Sequence, residues 1–454
     1  MTDTWTRDLR HVLHPWTHFE SFRGTGSLVI DRGEGCYVYD AAGNEYLDAV
    51  GGLWCNAIGM GRPEMAKAIS DQVTQLAYAN PFQDMTTKPA AELASVLAER
   101  APTGLSRVFY TASGSAATET AYRLIQFYQR SRGKPEKRHI ISRVGSYHGS
   151  TYMAMSIGGK KADHVPEFEY ATDHIHHLSC PNPYRAPDGL TPSEFCDVLV
   201  AELEDRIVSI GAERVAAFFA EPVLGAGGVI VPPDGYHRRT RDVCRRHDVL
   251  YVSDEVVTAF GRLGHWFSSE DVFGIQPDMV LCAKGLTSGY LPLGACIYSE
   301  DIHDVIANDP DRVFAHGFTY SGHPVCCAAA LENIRIIEQE GLLERVRENG
   351  PYFREALETL RQIPIVGDVR GAGFMLCVES VADAVTKEVF PEEVDIGKRI
   401  ADRCQELGLL VRPILNLNVM SPPLTLSREE IDSCVSRLGE AMSAVSRELV
   451  GSGA

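Results

Sequence analysis

The chain has 454 residues, 44% hydrophobic and 23% charged, the proportions of a globular protein too large for one hydrophobic unit. Its 61 acidic against 43 basic side chains leave a formal charge of −18, which argues against a broad nucleic-acid surface but allows a local anion pocket. No apolar run reaches the ~20 residues of a membrane span, and no secretory signal opens the chain. Twelve scattered cysteines without a CxxC pair read as free thiols in a reducing, cytoplasmic setting, with no metal site expected.

Near the N-terminus, residues 35–47 alternate as a hairpin, with Asp40 to Asn44 as the turn. From about residue 75 the rhythm becomes strand, loop, helix. Strands are expected at 107–111, 139–143, 215–220, 250–253 and 279–282, with helices such as 116–130 and 236–246 between them. That alternation predicts a mainly parallel sheet covered on both faces, with ligands at the carboxyl ends of its strands. Helices follow at 325–340 and 342–360, then a strand pair around Arg370-Gly371-Ala372-Gly373. A helix at 395–407, a strand at 408–413 and a closing helix at 427–447 complete the chain. The expected organisation is an N-terminal segment (1–75) packed on a small C-terminal α+β domain (326–454), with a large domain (76–325) between them.

Three strand ends carry candidate chemistry. Tyr251-Val252-Ser253 runs into Asp254-Glu255, which suits either a solvent-facing or arginine-paired acidic pair or a functional carboxylate. Met279 to Ala283 leads into Lys284-Gly285, where a lysine is either a snorkelling surface residue or an amine held for a carbonyl. Ser113-Gly114-Ser115 enters a helix, as an ordinary N-cap or as a phosphate cradle, although neither GxGxxG nor Walker A spacing is present. Tyr147 and His148 follow another strand; the ring suits stacking or loop packing, and the imidazole suits orienting a neighbour. His174, His176 and His177 lack metal-ligand spacing and are expected to face solvent.

Together, Ser253-Asp254-Glu255-Val256, Ala283-Lys284-Gly285 and the 317–324 stretch Gly-Phe-Thr-Tyr-Ser-Gly-His-Pro resemble, in order, the class III pyridoxal-phosphate (PLP) aminotransferases. Ala220-Glu221-Pro222, Gly225-Ala226-Gly227-Gly228, Gly52-Leu53-Trp54 and Arg370-Gly371-Ala372-Gly373-Phe374 extend the resemblance over nearly the whole chain, toward the amine or ω-amino acid:pyruvate branch. It implies the fold type I PLP-transferase architecture, with a mostly parallel large domain and a smaller α+β domain. It makes Lys284 the cofactor-binding (internal aldimine) and proton-shuttling lysine, with Asp254 on the pyridine nitrogen. Val256 and Tyr147 would pack the two ring faces, Gly114 and Ser115 would bind phosphate, and His148 and Glu221 would complete the cofactor site. Thr319 matches a phosphate ligand donated by the neighbouring subunit, which implies a homodimer or tetramer with shared active sites.

The resemblance also places Arg412 on the keto-acid carboxylate, with Trp54, Tyr147, Phe19 and Trp16 around a small amine donor. The chain departs from the family at Ala116, where glutamate is usual, and lacks the common asparagine further on, reading Ala116-Ala117-Thr118-Glu119-Thr120. An aminomutase, racemase or decarboxylase would keep Lys284 and Asp254, and a non-enzymatic ligand-binding scaffold would keep the fold.

Overall fold

The computed structural model describes residues 3–308 and 310–452, and among these the strands form three sheets. The hairpin region supplies β1 (Ile30–Glu34), β2 (Tyr37–Asp40) and β3 (Glu45–Asp48), paired antiparallel in sequence. Asp40 closes the tight turn, its Oδ1 accepting the Ala42 and Asn44 N–H groups at 2.9 Å each, as short acidic turn residues do.

The central sheet holds β4 (Leu105–Thr111), β5 (His139–Arg143), β6 (Ile175–Leu178), β7 (Val215–Ala220), β8 (Leu250–Asp254), β9 (Met279–Cys282) and β10 (Gly294–Ser299). Their spatial order is β4-β10-β9-β8-β7-β5-β6. All five expected strands are present, and every pairing is parallel except those made by β10. Sequence reasoning missed β6 and β10. The link from β9 to β10 is too short to hold a crossover helix, so β10 returns antiparallel beside β9.

Successive residues of these strands bury opposite faces. Ile140, Phe219 and Val252 pack with Leu124 and Ile125 of the helix Gly114–Ser131. Ile141, Phe218 and Tyr251 pack with Leu199 and Leu203 of the helix Pro192–Ile210. This alternation inside continuous apolar runs is what a sheet covered on both sides requires.

The chain then runs through the helices Pro324–Gln339 and Leu342–Glu358 into β11 (Val366–Ala372), β12 (Met375–Ser380), β13 (Leu409–Leu410), β14 (Arg412–Ile414) and β15 (Leu417–Met420), and ends in the helix Arg428–Ser452. The single strand expected at 408–413 is split at Val411. β13 pairs parallel with β3, joining the N-terminal sheet, while β14 is an edge strand beside β15. Pro413, with no N–H to give, sits on that edge, where it costs no ladder bond. One core unites the N-terminal strands, the long helices and the C-terminal sheet, through Leu47, Leu97, Leu286, Ile337, Leu376 and Leu438.

The expectation of solvent-facing histidines is corrected. His176 and His177 lie on β6 and His174 just precedes it, and all three are half-buried. His176 Nε2 lies 2.9 Å from His139 Nδ1, His174 Nε2 lies 3.1 Å from the Tyr122 hydroxyl, and His177 Nε2 lies 3.1 Å from the Ile157 carbonyl. They were misjudged because β6 was not recognised as a strand.

Candidate active site

β8 delivers Asp254 into the sheet's carboxyl edge with only 5% of its surface exposed. Its Oδ2 lies 2.6 Å from His148 Nδ1, and its Oδ1 accepts the Val256 N–H at 3.2 Å. His148 Nε2 is buried without a hydrogen-bond partner. Glu255, the next residue, does something else. Fully buried, it accepts the Ser268 and Ser269 N–H groups at 2.7 and 2.8 Å and the Thr258 hydroxyl at 3.0 Å. The acidic pair therefore divides into one carboxylate facing the cleft and one that fastens the following turn.

Lys284 stands between β9 and β10 with φ 37°, a left-handed conformation that costs energy for a residue with a side chain. Asn333, from the helix behind, holds that turn by donating to the Gly285 and Leu286 carbonyls at 2.8 and 3.0 Å. Sequence reasoning passed over Asn333, because nothing in a helical pattern marks a side chain that reaches another loop. Burial pushes the Lys284 amine below its ordinary lysine value, opposed by the Asp254 carboxylate. Among the described residues the amine has no hydrogen-bond or ion-pair partner.

The expected anion cradle is the start of the helix Gly114–Ser131. Ser113 caps it, its Oγ accepting the Ala116 N–H at 3.2 Å, so the Ala116 departure leaves the cap intact. A Cβ on Gly114 would lie 2.8 Å from Val256 Cγ1, so only glycine allows this loop to meet Val256. Ser115 Oγ accepts the Ser150 N–H at 3.0 Å. Thr118 donates its hydroxyl to the His148 carbonyl at 2.7 Å, tying this helix to the Tyr147-His148 loop.

Glu221, at the end of β7, accepts the Tyr147 N–H at 3.0 Å on one oxygen and the Gly225 N–H at 2.8 Å on the other. Burial pushes its carboxyl up, with the neighbouring His148 opposing. Trp54 is buried at φ 65° against the Gly225 turn, where a Cβ would come 3.3 Å from its ring. Arg412, on β14, is half-buried and close enough for Tyr147 and Asp163 to act on its charge, and it too lacks an ion-pair partner among the described residues.

Two expected wall residues lie further out. The Trp16 ring approaches Tyr147 edge-on at 6.4 Å but is 59% exposed. Phe19 is exposed beside a groove of about 300 Å³ that it shares with Leu9 and Leu13, and among the described residues no hydrogen bond or ring contact joins it to the cleft. Thr319 is exposed, its carbonyl accepting the Tyr78 hydroxyl at 3.0 Å, and among the described residues its own hydroxyl has no partner within the chain. The fold thus gathers Lys284, Asp254, His148, Glu221, Tyr147, Val256, Gly114, Ser115, Trp54 and Arg412, and leaves Phe19 and Thr319 apart.

This donor set fits a phosphorylated pyridine aldehyde. A helix N-terminus suits the phosphate, a buried carboxylate suits a protonated ring nitrogen, an apolar Val256 and an aromatic Tyr147 suit the two faces, and an unpaired amine suits the carbonyl. Among the described residues no helix is long and apolar enough to cross a membrane.

Comparison with known proteins agrees. The sequence model of the aminotransferase class-III family matches residues 22–442. The putrescine–pyruvate aminotransferase of Pseudomonas aeruginosa is 39% identical over 94% of this chain and 92% of its own length. A mitochondrial gamma-aminobutyrate transaminase of Oryza sativa is 40% identical over 95% of this chain and 84% of its own. Among solved structures, an (S)-enantioselective omega-transaminase from Thermomicrobium roseum superposes with a TM-score of 0.95 at 43% identity, over 98% of both chains. The omega transaminase of Pseudomonas jessenii in complex with PMP gives 0.96 at 38% identity, over the whole of both.

Proposed function

Because this chain belongs to the class-III aminotransferases, PLP-dependent enzymes of fold type I, we propose that it moves the amino group of a primary amine or ω-amino acid to pyruvate. The observation that carries the acceptor half of this reading is Arg412. It is a half-buried guanidinium on β14 near Tyr147 and Asp163, with no hydrogen-bonded or ion-paired carboxylate among the described residues. Such a cation is suited to receive a carboxylate from outside.

When bound, PLP supplies an electrophilic carbonyl carbon and a ring that takes up the electron pair released at the substrate carbon. Lys284 holds the cofactor covalently. Its amine, held below the ordinary lysine value by burial, would be the group placed to move a proton at the substrate carbon. Asp254 holds the proton on the pyridine nitrogen, and His148 fixes the orientation of that carboxylate. Val256 and Tyr147 restrain the ring between them, and Glu221 keeps Tyr147 in place through its backbone. The backbone N–H groups at Gly114 and Ser115, with the Ser115 hydroxyl, bind the phosphate.

The exposed strip of Thr319, Tyr320, Tyr78 and Phe82 supports a homodimer in which Thr319 completes the partner's phosphate site. Twelve free cysteines, ten of them buried, support a reducing compartment. The divisions near residues 75 and 325 are likewise our reading, supported by the β3–β13 pairing.

The test is a panel of a monoamine, β-alanine, 4-aminobutyrate, taurine, ornithine and putrescine, each offered with pyruvate and with 2-oxoglutarate. Alanine formed in step with the aldehyde or keto product, with ping-pong kinetics, is the expected result. Turnover with 2-oxoglutarate and none with pyruvate would reject the acceptor.

A further inference from the structure

Trp54 and Tyr147 rest on the same small piece of chain. The Gly225–Gly228 turn lies under the Trp54 ring, and the Gly225 N–H occupies the Glu221 oxygen opposite the one that holds Tyr147. Within the turn, the Gly228 and Val229 N–H groups return to the Gly225 carbonyl at 3.0 and 3.1 Å, and Leu224 and Ile230 exchange both backbone bonds. The Gly228 carbonyl points out of the turn toward the C-terminal sheet. Arg370, on β11, donates its Nε–H to that carbonyl at 2.7 Å.

The rest of the Arg370 guanidinium is held inside a buried charge network. Its Nη1 lies 2.6 Å from Glu379 Oε2 and 3.0 Å from Asp368 Oδ2. Each carboxylate has a second cation: Arg185 bonds to Glu379, and Arg361 lies 2.9 Å from Asp368. Removing Arg370 therefore strands neither acid, which is the usual reason that breaking a buried ion pair unfolds a protein. What no other group replaces is the bond to the Gly228 carbonyl, which has no second donor among the described residues.

We propose that Arg370 is a positioning residue that sets the size of the amine pocket, by pinning the Gly225–Gly228 turn against which Trp54 and, through Glu221, Tyr147 are held. It touches neither substrate nor cofactor. Its geometry is fixed by the four flanking charges, so the turn is tied to a rigid point in the C-terminal sheet rather than to its own loop. Gly228 itself leaves little slack: it sits at φ 115°, and a Cβ there would come 2.9 Å from Arg370 Nη2 and 2.7 Å from Leu417. Release of the carbonyl lets the turn settle away from Trp54, which widens the cleft on the donor side and leaves the Lys284–Asp254 side unchanged.

The inference rests on the reading of Trp54 as a wall of the donor pocket, and the experiment separates the two. With pyruvate as acceptor, kcat and KM are measured for propylamine and benzylamine in the wild type, Arg370→Met, Arg370→Lys and Trp54→Ala. Arg370→Met is expected to shift the kcat/KM ratio about tenfold toward benzylamine, the scale of a small change in an apolar pocket. The shift should come through KM, with the propylamine kcat and the visible spectrum of the bound cofactor unchanged. Arg370→Lys, which can still give one bond to Gly228, should fall between, and Trp54→Ala should shift the ratio the same way. Should Arg370→Met not fold, Arg370→Leu, which likewise has no donor for the Gly228 carbonyl, carries the same expectation. An unchanged ratio, or an equal fall in kcat for both amines, overturns the role of Arg370. No shift in Trp54→Ala removes the pocket reading and this inference with it, and a wild type that turns over other donors but neither of these two does the same.

Discussion

Asp254, His148 and Glu221 on one side of the cleft are each about a twentieth exposed or less, and each is held by a neighbour from a different strand end. By contrast, Arg412 has no hydrogen-bond or ion-pair partner among the described residues, Trp16 touches the site through one edge-on contact, and Thr319 faces solvent. The first group is held in place by hydrogen bonds within the chain, as electrostatic work on a cofactor requires. The second group keeps its polar groups uncommitted among the described residues, and the proposed function assigns them to substrate and to a partner subunit. On the proposed function, strength of preorganisation separates the residues assigned to the chemistry from those assigned to recognition.

If that division holds, damage to the prebuilt side should cost rate, and damage to the open side should cost recognition. Asp254→Ala should lower kcat by about 10²–10³-fold, the scale of losing one preorganised electrostatic contact. The loss should appear in both half-reactions, measured separately by stopped-flow, while KM for pyruvate stays near the wild-type value. Arg412→Ala should raise KM for pyruvate about 10–100-fold, the worth of a hydrogen bond to a charged group, and spare the first half-reaction with a monoamine. A fall in monoamine kcat as large as that of Asp254→Ala would erase the distinction.

The smallest effect lies outside both sides, at the amino end of the sheet. There His139 sits between His176 and the Arg214 guanidinium, 2.9 and 3.0 Å away. Burial, helped by Arg214, pushes its pKa down to about 4. Its folded value is below the ordinary value of 6.5, so the unfolded chain binds the proton more readily and stability falls as pH drops from about 6.5 toward 4. His176 and His174 are shifted in the same direction. Tm should decline over that window, less steeply in His139→Asn, with kcat at neutral pH unaffected.

How far this could be read beforehand depended on where the cause lay. A run such as Val215 to Ala220 is apolar at every position because both faces are covered, so β7 was visible locally, whereas Glu221 after it came only through the family resemblance. Lys284 and Asp254 were visible for the same reason, each being the polar residue at the end of such a run. The division of labour between Asp254 and Glu255 was not, since it depends on Ser268 and Ser269 arriving from a later turn. Asn333 and Arg370 were invisible as site residues, because what they hold is backbone in another element. The antiparallel β10 and the histidine-bearing β6 were missed as short segments whose pairing is decided by their neighbours in the sheet.

Everything turns on the amine of Lys284. The holoenzyme is treated with borohydride, digested, and its peptides mapped for the covalently fixed cofactor. A single modified site at Lys284, together with loss of the visible band and of turnover by about 10⁴-fold in Lys284→Ala, is the predicted result. Label on another lysine, or an active Lys284→Ala enzyme that keeps its visible band, would contradict it.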